Sequence, residues 1–213
     1  MTIPGRRIPV LCFVGGIGSG KSHLARLLAG EHGGLVIDAD AIGHQLLEEA
    51  DIKARLRELF GDNILDESGR VDRRAVAERV FGSEPPQRAA RADLEALMHP
   101  RIRVQVEQKI AQAQADPAVE FIVLDAALSL ETGWHDLCDA VIFVEVPESE
   151  RVSRVARTRG WSAAELRERE RSQWPLDLKR RHAGYIVENT DATGPPLVRL
   201  GQILAQLHTT YRA

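Results

Sequence analysis

Five short apolar runs recur along the chain, separated by long helical patterns: IPVLCFV (8–14), GLVID (34–38), FIVLDA (121–126), AVIFVEV (140–146) and GYIVEN (184–189). They are nearly continuous in apolar character rather than alternating, and rich in β-branched residues. That predicts strands covered on both faces, as in a parallel sheet wrapped by helices. Between the second and third runs the period changes. DIKARLRELFGDNIL (51–65) and VDRRAVAERVFG (71–82) carry helical spacing and are joined by the turn DESG (66–69). A longer helical region is expected from about Pro86 to Ala115, interrupted at His99-Pro100, after which Ile102, Val106 and Ile110 recur one turn apart as a buried stripe. A polar, arginine-rich segment, 149–182, separates the fourth and fifth runs, and its SAAE (162–165) fits a capping box that opens a helix.

The chain has 213 residues, enough for a full core in one domain with an embedded subdomain. Its net charge of −3 supplies no global attraction to nucleic acid or to an anionic membrane, so neither is expected as a partner. Cys12 and Cys138 form no C-x-x-C pair, and no histidine stands at zinc-ligand spacing; Cys12 is expected as a plain core residue. The apolar run after MTIPGRR breaks at Gly15-Gly16, too soon for an export signal or a membrane span, so the expected location is the cytoplasm.

Candidate chemistry concentrates where the first run ends. GGIGSGKS (15–22) matches G-x-x-x-x-G-K-S/T in full, directly after a strand and before the helical HLARLLAG. In such a loop Gly16, Ile17, Gly18, Ser19 and Gly20 turn successive amides toward phosphate oxygens, and the helix N-terminus adds partial positive charge. Lys21 is expected on the β- and γ-phosphates and the Ser22 hydroxyl on Mg²⁺. The second strand ends in IDADAI. If the strand continues through it, Asp38 and Asp40 share a face at the carboxyl edge of the sheet, where α/β ligands bind. One could then orient a metal-bound water and the other accept a proton from an attacking hydroxyl. The alternative is that Asp40 N-caps a helix starting near Ala41. Asp125, closing FIVLD, is either an outer metal partner or simply the acid that ends a buried strand. A GTP switch is not expected: there is no N-K-x-D, and DESG lies inside the helical insertion.

GGIGSGKS, VIDADAI, LDESGRVDRRAVAERVF, LMHPRIR and SQWPLDLKRRHAGYIVEN together resemble dephospho-coenzyme A kinases in order and spacing, over residues 8–190. The resemblance implies an α/β P-loop NTPase fold with a five-stranded parallel sheet. The nucleotide-binding core would comprise 1–40, 119–148 and 183–213, the helical acceptor-binding insertion 41–118, and the lid 149–182. It also implies ATP and Mg²⁺ as cofactors and phosphorylation of the ribose 3′-hydroxyl of dephospho-CoA. By position, Asp40 matches the general base. His99 and Arg103 match the acceptor-binding H-P-x-I-R element, with Arg73 or Arg74 assisting. Glu131 lines the acceptor pocket, Gln173, Lys179 and Arg180 match a Q-x-P-x-x-x-K-R stretch, and Asn189 lies on the adenine side. Of the lid arginines, Arg154 is the first choice for the triphosphate, ahead of Arg157 and Arg159. Departures from the family pattern are His23 after the loop serine, DAALSLE (125–131) with Ser129 among apolar residues, Thr158 where the lid has arginine, and Gly184 before the last strand. The competing readings are another P-loop nucleoside or nucleotide kinase, and a degenerate nucleotide-binding module. Oligomeric state is not legible in the sequence.

Overall fold

The computed structural model describes residues 7–82, 84–190 and 195–212; the reading of the opening Met1–Arg6 lies outside them. In chain order the elements are β1 Val10–Val14, α1 Lys21–His32, β2 Gly34–Asp38, α2 Ala39–Leu46, α3 Ala50–Phe60, α4 Arg73–Val80, α5 Pro85–Ala115, β3 Phe121–Asp125, β4 Ala140–Glu145, α6 Glu148–Arg159, α7 Ala163–Glu170, α8 Leu176–His182, β5 Tyr185–Glu188 and α9 Pro196–Arg212. The chain divides into two compact units, Met1–Asp38 with Gln108–Ala213, and Ala39–Glu107.

The first unit is built on a parallel sheet in the order β2-β3-β1-β4-β5. β1 is central, and all five of its residues are buried. Because side chains alternate along a strand, an all-apolar β1 feeds two cores. Leu11 and Phe13 join Leu24 and Leu28 of α1 and Leu200 and Ile203 of α9 on one side. Cys12 and Val14 join Leu130 and Phe143 on the other, packed with Trp174, Leu176 and Ala183. Cys12 is thus a core residue as expected, and its thiol donates to Ser129 Oγ at 3.0 Å, which gives that buried hydroxyl a partner.

Burial on both faces holds for β1, β3 and β4 but not for the sheet margins. β2 is an edge strand with Leu35 38% exposed, and β5 buries only Val187 fully. An apolar run cannot tell a margin from a centre, because margin position is set by strand order. The capping box is present in both directions: Ser162 Oγ accepts from Glu165 N–H at 3.2 Å, and the Glu165 carboxylate accepts from Ser162 N–H at 2.8 Å.

The second unit packs α2, α3, α4 and most of α5 around Ile42, Leu46, Ile52, Leu56, Phe60, Val76, Met98, Ile102 and Val106. DESG is a turn closed by Asp66, whose carboxylate accepts from Ser68 N–H and Arg70 N–H at 2.9 Å each. Asp72 caps α4, accepting from Arg74 N–H at 2.8 Å. Pro100 does not interrupt its helix: α5 runs 31 residues with Pro100 inside. Proline removes one backbone donor and leaves the Ala96 carbonyl without its usual acceptor role in the helix, a cost that burial of Met98, Ile102 and Val106 on the same helix offsets. No helix among the described residues is long and apolar enough to cross a membrane.

Candidate active site

In the first unit the loop between β1 and α1 is shaped by glycine where only glycine fits. Gly15 has φ 145°, and a Cβ there would lie 2.6 Å from the carbonyl oxygen of Val144, on the neighbouring strand β4. Gly18 (φ 81°) and Gly20 (φ 87°) lie in the left-handed region, and Ser19 N–H bonds back to Gly16 O at 3.2 Å. α1 then starts at Lys21, so the first amides of the helix have no acceptor within it and remain available to an anion.

Lys21 is folded over this loop. Its Nζ donates to Gly15 O and Gly16 O at 2.9 Å each and lies 3.4 Å from Ser19 Oγ. Burial pushes its pKa down from 10.5 to about 8; Lys179 and Arg151 press in the same direction, while the Asp125 and Glu170 carboxylates oppose them. Ser22, the second residue of α1, is half-buried at the same helix start. Asp38 and Asp125 are register partners at the carboxyl ends of β2 and β3. Asn189, just past β5, donates from Nδ2 to Ser19 O at 2.8 Å, bracing the loop. Arg154 donates from Nη2 to Asn189 O at 2.8 Å and to Glu150 at 3.2 Å.

Two charged groups that sequence reasoning missed lie closest to the loop. Arg151, 4% exposed, donates to Ile17 O and Val146 O at 3.3 Å each and is ion-paired with Glu170. The same Glu170 oxygen accepts from Ile17 N–H at 2.9 Å. The available signal was an arginine one turn before Val155 on the apolar stripe of α6. Lys179, 2% exposed, is engaged by Glu131 and by Gln173 Oε1 at 2.9 Å each; Glu131 Oε1 also accepts from Trp174 N–H at 2.8 Å. Arg157 and Arg159 are exposed; Arg159 and Arg169 lie over the ring of Trp161 at 4.8 and 4.1 Å. Arg180 pairs with Glu145 at 3.0 Å.

In the second unit Asp40 is exposed in the first turn of α2. This corrects both sequence readings of its geometry. β2 ends at Asp38, so strand alternation does not relate Asp38 to Asp40, and α2 starts at Ala39, so Asp40 lies inside the helix rather than capping it from Ala41. Arg73 opens α4 and is exposed, whereas Arg74 pairs with Glu78 at 3.2 Å. His99 and Arg103 lie one turn apart on α5, as their spacing implies, but His99 is mid-helix rather than at a helix start. Partial burial lowers the His99 pKa, reinforced by Arg91 and opposed by Glu95. Arg103 supplies the charge and pairs with Glu107 at 2.8 Å.

A glycine-rich loop leading from the central strand of a parallel sheet into a helix, with its lysine folded back over the loop, defines the class: a P-loop kinase fold. Shikimate kinase from Acinetobacter baumannii shares that fold (TM-score 0.51, 14% identity, 95% of this chain and 94% of that one). Within the class, the chain belongs to the dephospho-CoA kinase family, whose model (CoaE) matches residues 9–194. Dephospho-CoA kinase of Corynebacterium diphtheriae is 37% identical over 94% of this chain and 98% of its own, and that of Thermobifida fusca is 37% identical over 91% and 93%. A crystal structure of a Thermus thermophilus protein superposes with a TM-score of 0.78 at 32% identity, covering 95% of this chain and 99% of the other. As a member of a kinase family, the chain is an ATP-dependent phosphotransferase.

Proposed function

We propose that this protein transfers the γ-phosphoryl group of ATP to the ribose 3′-hydroxyl of dephospho-CoA, giving coenzyme A and ADP in the cytoplasm. The observation that carries the donor half is the loop itself, with Lys21 Nζ held by Gly15 O and Gly16 O at the start of α1. The acceptor half rests on the named substrate of the relatives.

In the step, the 3′-oxygen forms a bond to the γ-phosphorus as the bond from that phosphorus to the β–γ bridging oxygen breaks. ADP leaves, and the hydroxyl proton passes to the Asp40 carboxylate, the general base. Lys21 and the amides of Gly16, Ile17, Gly18, Ser19, Gly20 and Ser22 hold the phosphates. Arg154 moves onto the triphosphate as the 149–182 segment acts as a lid that excludes water. Asn189 borders the adenine. Arg73, His99 and Arg103 hold the acceptor's phosphates; Asp38, Glu131 and Lys179 shape the acceptor side.

Among the described residues no cluster of three or more His, Cys, Asp or Glu could enclose a metal ion. That fits Mg²⁺, which takes few protein oxygens and completes its shell with water and substrate phosphate. Ser22 Oγ, with Asp125 behind it, is the expected protein contribution. When bound, the ion neutralises charge on the β- and γ-oxygens.

The test is an acceptor panel with an ADP readout. ADP release that requires dephospho-CoA supports the reading, and release with a nucleoside but not with dephospho-CoA overturns it. Asp40→Asn is expected to bind ATP nearly normally while turnover falls by about 10²–10⁴-fold; unchanged turnover would remove Asp40 from the chemistry.

A further inference from the structure

A carboxylate already occupies part of the phosphate-binding loop. One oxygen of Glu170, at the end of α7, accepts from Ile17 N–H at 2.9 Å and pairs with the guanidinium of Arg151. A backbone amide and a guanidinium converging on a single oxygen are the donor set that a phosphate oxygen takes. The guanidinium lies flat on the loop: a Cβ at Gly16 would meet its Nη1, Cζ and Nε at 2.6 to 2.9 Å. Its bonds to the Ile17 and Val146 carbonyls are long, at 3.3 Å, so Glu170 is the main neutralising partner of a cation that is almost wholly buried. Both members of the pair act on the charge of Lys21, which places them within electrostatic reach of the same phosphates.

We infer that Glu170 is a displaceable latch: in the ligand-free protein it holds the Ile17 amide and Arg151, and it yields both to the terminal phosphate of a bound nucleoside triphosphate. The inference rests on the triphosphate occupying the loop, as proposed above. Glu170 is a positioning residue, since it acts by keeping Arg151 against the loop until a more highly charged anion competes for it.

The latch predicts a change in discrimination rather than in overall grip. In calorimetric titrations of the full chain with ATP and with ADP, Glu170→Gln removes the competing charge. It is expected to tighten ATP several-fold, up to about tenfold, with ADP altered by less than roughly twofold. Adding Arg151→Lys is expected to cancel the gain. A merely structural clamp would weaken both nucleotides together; that outcome, or an unchanged ATP-to-ADP ratio, overturns the latch. Should Glu170→Gln not fold, Glu170→Asp keeps the charge but falls one methylene short of Ile17. The ratio is again expected to rise, and an unchanged ratio again counts against the proposal. No acceptor is present in these titrations. A chain that shows the ratio change yet does not phosphorylate dephospho-CoA keeps the latch and loses the proposed reaction; the converse loses only the latch.

Discussion

Lys21 is held where its charge is least welcome. Its folded pKa of about 8 lies below the ordinary 10.5 because burial disfavours the ammonium. Between those values the unfolded chain binds more protons than the folded one, so the ligand-free protein is expected to gain stability as pH rises from about 8 toward 10.5. Nucleotide affinity is expected to fall over the same window, as the ammonium that meets the phosphates is lost. Melting temperature and ATP affinity against pH, each compared with Lys21→Met, check the two opposite trends; parallel trends would contradict the assignment. Lys21 and Ser22 were legible in the sequence because their geometry is local, fixed by glycines within a few residues. Arg151 and Glu170 were not, since they meet Ile17 from 134 and 153 residues away, a distance that no spacing rule covers. Asp40 was expected as chemistry but misjudged as geometry, because a difference of two residues in where β2 stops turns a strand face into a helix turn.

Among the elements, those with a chemical punctuation mark were the most readable. The SAAE capping box and the Asp66 turn sit where local hydrogen bonding demands them. Pro100 was read as such a mark and is not one, because its local penalty competes with the packing of a 31-residue helix and loses. Interior proline costs a helix about 3 kcal/mol relative to alanine, so Pro100→Ala is expected to stabilise the protein by about 1–3 kcal/mol, part of the gain being absorbed by packing adapted to the ring. Urea unfolding followed by circular dichroism measures it; a loss of stability would mean that the ring itself is part of the packing. The strand margins were the other misreading, since β2 and β5 carry the apolar content of central strands without their cover.

For the molecule as a whole, a ligand that binds the folded chain and not the unfolded one converts its affinity into stability. ATP at about 100 times its dissociation constant is expected to add about 2.7 kcal/mol, or about 5–10 °C in melting temperature for a chain of this length. Differential scanning fluorimetry with Mg²⁺-ATP tests this; no shift at concentrations that support turnover would contradict ATP binding by the folded chain. The parallel sheet could be read from periodicity, while strand order could not, being a property of the assembled chain. The two arginines over Trp161 also have a practical use. An indole with two guanidiniums over its ring emits at an energy that depends on where those cations are; Trp174 lies in the same 149–182 segment and Trp134 outside it, so the double variant Trp134→Phe, Trp174→Phe isolates the Trp161 signal. The segment proposed to close over ATP therefore carries its own optical reporter: in that double variant a spectral change on adding nucleotide is expected from Trp161, with no external label attached.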